Sequence, residues 1–222
     1  MTQEFFACFG FLVEIKSFYA TIFAMYTIVG LGNPGEEYEN TRHNVGRMFV
    51  QNFFEKHDFP EFSFDKKLNS LLSSGKVGGE KVLGILPETF MNKSGDAVGK
   101  VIKSKKAAEM LVVVHDELDL PLGRAKISFN KSAGGHRGVE SVRKAVGTEG
   151  FVRIRIGVSP STAGGKLKKP IGEDVVMKFI LGKFSKKDEE TLKKISKSFN
   201  EALELLITEG RDRAMNEWNG KL

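Results

Sequence analysis

The chain has almost no cysteine. Among its 222 residues Cys8 stands alone, which excludes an internal disulfide and a cysteine-rich zinc site and fits a reducing compartment. Histidine is also scarce, with four residues and no HExxH spacing, so neither a metal nor a cofactor is expected. No serine or cysteine lies in a GxSxG elbow, and water is the nucleophile to expect in any hydrolysis. No apolar run reaches the about 20 residues that a membrane helix needs. Residues 1–24 are apolar and aromatic, but Glu14 and Lys16 interrupt them. The same segment has Glu4 as its first charge and contains no arginine, unlike a signal peptide or a mitochondrial presequence. A cytoplasmic protein without a membrane partner is therefore expected. The sequence also lacks an internal repeat or a linker that would separate two cores.

What remains is an ordinary globular composition with a basic surplus. Lys and Arg number 34 against 28 Asp and Glu, giving a net charge of +6. That surplus is compatible with a nucleic-acid partner and equally with a solvated basic surface, so it decides nothing alone. The local pattern says more. In Tyr26–Gly46, YTIVGLGNPGEEYENTRHNVG, a short apolar strand from Tyr26 to Val29 runs into Gly30, Gly32, Pro34 and Gly35. Pro34 forces Asn33 into an extended conformation, so its side chain sits on a stiff turn at a strand end, a common site of function in α/β sheets. The cluster Thr41-Arg42-His43-Asn44 follows closely. Gly30-x-Gly32-x-x-Gly35 also matches the dinucleotide fingerprint. However, no apolar helical face follows the glycines, three acidic residues occupy the place of a pyrophosphate, and the acidic strand end expected about 20 residues on is replaced by a helical pattern.

Further along, Val45–His57 has helical spacing, and Asp58–Lys67 reads as a loop. Leu68–Val77 and Lys81–Leu86 read as two strands joined by a Gly78-Gly79 turn. Ser94 is expected to cap a helix marked by Ala97, Val98, Val101 and Ile102. Met110–Val114 is a central strand that discharges into His115-Asp116-Glu117-Leu118-Asp119. Arg124–Phe129 is a strand, Asn130–Gly138 a basic loop, and Val139, Val142 and Val146 mark a helix closed by Gly147. Phe151–Gly157 is a strand with Arg153 and Arg155 on one face. Ser159–Ile171 is a surface loop and Asp174–Leu181 a short helix. Ser185 with Asp188 opens a long helix that Gly210 ends, and Ala214–Trp218 closes the chain. This order predicts one α/β domain, a mixed twisted sheet with helices on both faces.

Four polar groups, Asn33, His43, Asn92 and Asp116, fall at strand ends or helix starts. Together they suggest base catalysis: a neutral histidine takes a proton from water, a buried carboxylate orients it, and amide side chains fix a carbonyl. The chain at this point resembles bacterial-type peptidyl-tRNA hydrolases. The resemblance is carried by Val29–Gly35, Tyr38, Thr41–Asn44, Thr89–Gly95, His115–Pro121, Gly134-Gly135-His136, Arg153–Gly157, Leu181–Phe184 and Ala214–Asn216. It runs from about Met25 to about Asn219 and leaves residues 1–24 as an extension before a domain of residues 25–222.

The resemblance implies a metal-free, monomeric enzyme of translation that cleaves the ester between peptide and tRNA, its partner. It implies His43 as the base, Asp116 as its support and Asn33 as the group that recognises the peptide backbone. Asn92, flanked by Phe90 and Met91, would position substrate and water. Tyr38 and Phe90 would line the place of the 3′ end. Lys126, Arg153 and Arg155 would meet tRNA phosphates, with Arg155 the best match. Two positions depart from the family pattern. Arg137 stands where an asparagine is usual, as a substrate-binding candidate that donates but cannot accept, and Ser128 stands where a lysine is often found. His57, at a helix end, reads as a C-terminal charge partner, and His115 and His136 read as structural hydrogen-bonders. The alternative is an RNA-binding relative on the same fold that no longer hydrolyses.

Overall fold

The computed structural model describes residues 25–162 and 164–221. The expectation that residues 1–24 form an extension concerns residues outside that range. Seven strands form one sheet in the order β2-β3-β4-β1-β5-β7-β6, with β1 Met25–Gly30, β2 Ser63–Asp65, β3 Ser70–Val77, β4 Glu80–Pro87, β5 Leu111–Pro121, β6 Ala125–Phe129 and β7 Val152–Ser159. β1 lies parallel between β4 and β5, and β7 is parallel to β5. The β2–β3, β3–β4 and β6–β7 pairs are antiparallel, so the sheet is mixed as expected.

Side chains alternate across a strand, and here both faces are apolar. Ile28, Val112 and Val114 face a core with α1 (Val45–Lys56) and two helices late in the chain, α6 (Lys186–Glu209) and α7 (Arg211–Trp218). Their neighbours Val29, Leu111 and Val113 face the other core, with α2 (Ser94–Val101) and α4 (Arg137–Val146). Two further helices, α3 (Lys105–Ala108) and α5 (Glu173–Ile180), complete the set among the described residues. No described helix is long and apolar enough to cross a membrane.

Local chemistry accounts for most boundaries. Gly78 and Gly79 have φ of 56° and 90° and close a two-residue turn between the paired Val77 and Glu80, as a tight hairpin requires. Ser185 and Asp188 form the reciprocal cap that starts α6. Ser94 is a correction. It is the first residue of α2 rather than its cap, and its hydroxyl donates to the Met91 carbonyl at 2.9 Å. β2 lies inside the segment expected to be a loop, and α3, capped by the Ser104 hydroxyl, was not expected.

β5 continues well beyond its apolar run. His115, Asp116 and Glu117 stay in register with Arg155, Ile156 and Gly157, so the sheet carries the polar cluster on rigid backbone. Gly46 sets the approach of α1 to that strand: a Cβ there would lie 2.1 Å from the Val114 carbonyl oxygen. Leu31 N–H also donates to that oxygen at 3.0 Å, and Arg47 N–H donates to Leu31 O at 3.1 Å. Gly46→Ala is expected to cost about 3 kcal/mol or more, because the clash is with backbone and cannot be relieved by a rotamer change. Urea unfolding measures it, and a loss below about 0.5 kcal/mol, the range of neutral surface changes, would show that the helix shifts freely.

Candidate active site

The 3₁₀ turn Arg42–Asn44 leads into α1, and each side chain from Thr41 to Asn44 is tied to a different part of the molecule. The Thr41 hydroxyl donates to the Tyr38 carbonyl at 2.8 Å. The Arg42 guanidinium donates to the carbonyls of Gly182 and Lys183, each at 3.1 Å, and lies over the Phe179 ring at 4.5 Å. Asn44 holds the loop after β1: its Oδ1 accepts from Asn33 N at 2.8 Å and its Nδ2 donates to Asn33 O at 2.9 Å. His43 points the remaining way, and its Nδ1 lies 2.9 Å from Asp116 Oδ1.

The same carboxylate oxygen lies 2.8 Å from His136 Nε2. An ionised carboxylate only accepts hydrogen bonds, so both ring nitrogens facing Asp116 carry protons. Nδ1 of His136 caps α4 by accepting from the backbone N–H groups of Gly138 and Val139 at 3.1 and 3.2 Å. Backbone N–H groups only donate, so His136 is held as the neutral Nε2–H form. In neutral His43 the Nδ1–H donates to Asp116, and Nε2 carries the lone pair. Burial alone would raise the pKa of Asp116, but His43 and His136 and their hydrogen bonds hold it well below the usual carboxylate range. The three side chains could also offer a metal one ligand atom each. Their closest separations are hydrogen-bond distances, however, and a cation would have to displace both imidazole protons.

This triad lies at one side of a cleft of about 750 Å³. Asn33, Tyr38, Phe90, Met91, Asn92 and Arg137 all line it, so the structure brings together most of the site expected from sequence. Asn33 Oδ1 accepts from Met91 N at 2.8 Å, which joins the loop after β1 to the loop after β4. Tyr38 and Phe90 meet edge to face at 6.5 Å, and Phe90 is 58% exposed. The far wall is supplied by α5 and the segment before it, through Ile171, Met177 and Ile180, which sequence did not single out.

The three expected phosphate contacts are neighbours on β6 and β7 but differ in exposure. Lys126 is exposed on β6 and pairs in register with Arg155. Arg155 Nε donates to Glu117 Oε2 at 2.9 Å, and its NH1 donates to Ser128 Oγ at 3.4 Å. Arg153 is only 4% exposed, which leaves little surface for an external phosphate, and burial lowers its pKa. His136, read from sequence as a structural hydrogen-bonder, makes its bonds to Asp116 Oδ1 and to the first backbone N–H groups of α4.

His115 packs behind the triad, with its ring centroid 4.7 Å from that of His136. Its Nδ1 lies 2.7 Å from the Asp116 carbonyl oxygen and must donate, while Nε2 is buried without a partner. Burial, followed by the neighbouring His136, pushes the His115 pKa well below 6.5. The unfolded chain takes up a proton there as pH falls through 6.5, whereas the folded chain does not. The unfolded state then binds more protons, so stability falls with falling pH, by up to about 1.4 kcal/mol per pH unit from this residue. His115→Asn keeps a donor for the Asp116 carbonyl and is expected to flatten the dependence between pH 6.5 and about 5. Urea unfolding at the two pH values tests this, and an unchanged slope would mean that His115 titrates normally.

Known proteins resemble this chain along most of its length. A family profile described as peptidyl-tRNA hydrolase matches residues 27–222. A peptidyl-tRNA hydrolase of Carboxydothermus hydrogenoformans is 39% identical over 196 residues, covering 88% of this chain and 98% of the relative. One from Herpetosiphon aurantiacus is 40% identical over 200 residues, covering 89% and 91%. Among solved structures, the crystal structure of peptidyl-tRNA hydrolase from Acinetobacter baumannii superposes with a TM-score of 0.77 at 30% identity, covering 88% of this chain and 94% of that one. The chain belongs to the peptidyl-tRNA hydrolase family.

Proposed function

We propose that this chain hydrolyses the ester that joins a peptide to the terminal ribose of a tRNA. The observation that carries the reading is the His43–Asp116 hydrogen bond at 2.9 Å beside the cleft. It fixes Nδ1–H on Asp116 and makes Nε2 the basic atom. Nε2 removes a proton from water as the oxygen attacks the ester carbonyl. The tetrahedral intermediate collapses by breaking the bond to the ribose oxygen, and the imidazolium returns its proton to that oxygen. Peptide carboxylic acid and free tRNA result, with no cofactor. Asp116 stays ionised and stabilises the imidazolium.

Asn33 has its acceptor engaged by Met91 N–H, so its NH₂ group is the part available to substrate. It serves as a donor to a peptide carbonyl rather than as an acceptor. Asn92 and Met91 line the same wall, and Tyr38 and Phe90 offer ring faces to the terminal base. Lys126 and Arg155 supply sequence-independent attraction to tRNA phosphates, and Arg137 supplies it beside the ester. The domain from Met25 onward acts as a cytoplasmic monomer. The non-hydrolytic RNA-binding alternative gains no support from a site in which the base and its carboxylate are intact.

His43→Ala is expected to lower kcat by about 10²–10⁴-fold while KM for N-acetylaminoacyl-tRNA stays within about threefold. Release of the N-acetylamino acid measures both, and near-normal turnover would remove His43 as the base. Asn33→Asp keeps the acceptor for Met91 N–H and removes the donor. Its kcat/KM is expected to fall about 10–100-fold on the N-acetylated substrate, and by much less on free aminoacyl-tRNA. If the two substrates lose activity equally, Asn33 does not discriminate between them.

A further inference from the structure

Arg137 and Glu173 are the first residues of α4 and α5, and both line the cleft. The Arg137 guanidinium meets the Glu173 carboxylate at 2.5 Å, with side chains 59% and 76% exposed. So exposed a pair adds little to stability. Arg137 does not serve its helix either, because a cation in the first turn faces the positive end of the dipole. Glu173 is different, since an acid suits the first turn of its own helix. The other arginine pairs around the site are more enclosed: Arg155–Glu117 joins β7 to β5, and Arg47–Glu88 joins α1 to the end of β4. Arg137 is thus a charged group at the cleft whose place neither pair stability nor its helix explains. It follows directly on His136, which is bonded to the same carboxylate oxygen as the catalytic base.

We propose that Glu173 holds the place of a substrate phosphodiester: Arg137 exchanges the Glu173 carboxylate for the phosphate of the tRNA's terminal nucleotide, so the pair selects esters that carry a phosphate next to the reacting sugar. The inference rests on the functional reading above. A guanidinium offers the same planar fork of donors to a carboxylate or a phosphate. With the ester carbonyl at His43, the nearest backbone phosphate is one sugar away, in the same cleft as Arg137. The exchange keeps an anion beside Arg137 at every stage. The released Glu173 returns to water, where most of its side chain already lies. Glu173 thereby competes only with the phosphate, and an ester without one gains nothing from displacing it.

The test compares N-acetylaminoacyl-tRNA with the same N-acetylaminoacyl ester of adenosine, which has no phosphate, using the full chain and the variants Glu173→Gln, Arg137→Gln and the double variant. On the tRNA substrate, Glu173→Gln is expected to lower KM about 2–5-fold by removing the competitor. Arg137→Gln is expected to raise KM about tenfold. The double variant should match Arg137→Gln, because Glu173 acts only through Arg137. On the adenosine ester Glu173→Gln should leave KM unchanged, because there is no phosphate for Glu173 to compete with. A KM for the tRNA substrate that Glu173→Gln leaves unchanged or raises, an independent Glu173 effect in the double variant, or an equal gain on the phosphate-free ester overturns the inference while wild-type turnover leaves the functional reading standing. A wild-type chain that releases no peptide overturns the functional reading and this inference together.

Discussion

One carboxylate oxygen, Oδ1 of Asp116, receives hydrogen bonds from two imidazoles that reach it from different parts of the chain. An ionised carboxylate buried on a central strand is costly unless several donors satisfy it, and His43 and His136 meet that need. The loop after β1, the start of α1 and the start of α4 are thereby held to one point at the end of β5's apolar stretch. His136 is braced in turn by the two backbone N–H groups of α4 that it caps. The orientation of the base is consequently set by a sheet and two helices rather than by a loop alone, the rigidity that a positioned proton acceptor requires.

The opposite wall is held through His43's own neighbour. Arg42 binds the carbonyls after α5 and lies against Phe179, so the turn that aims the base also anchors the helix that covers the cleft. Catalytic and covering elements share one short segment, and its four side chains act in four directions. A substitution at Arg42 would alter the shape of the cleft without touching the chemistry.

The strand and helix order was legible because apolar periodicity is strong in β1, β4, β5, α1 and α6. His43, Asp116, Asn33 and Asn92 stood out because polar side chains interrupt those patterns where an apolar run ends or a helix begins. The failures have physical causes. β2 and α3 are too short to show a period. β5 was cut at its first polar residue because an apolar run cannot reveal that His115 and Asp116 continue the ladder. Arg153 and Arg155 share a face by alternation, but position along β7 separates them: one is packed within the sheet and the other reaches Glu117. His136 became interpretable only once Gly134 and Gly135, with φ of 60° and 83°, turned the loop so that one ring nitrogen caps α4 and the other meets Asp116. No spacing rule contains that turn.

The strand order also governs when the site can exist. β1 is the earliest strand described, yet both its neighbours, β4 and β5, are synthesised after it. As the chain leaves the ribosome, Ile28 and Val29 therefore emerge before both strands that flank them, with α1 the first described element able to pack on Ile28. Parallel pairing over such separations is intrinsically slow. Asp116 acquires its second histidine only after a further stretch of synthesis, which makes catalytic competence a late and abrupt property of the growing chain.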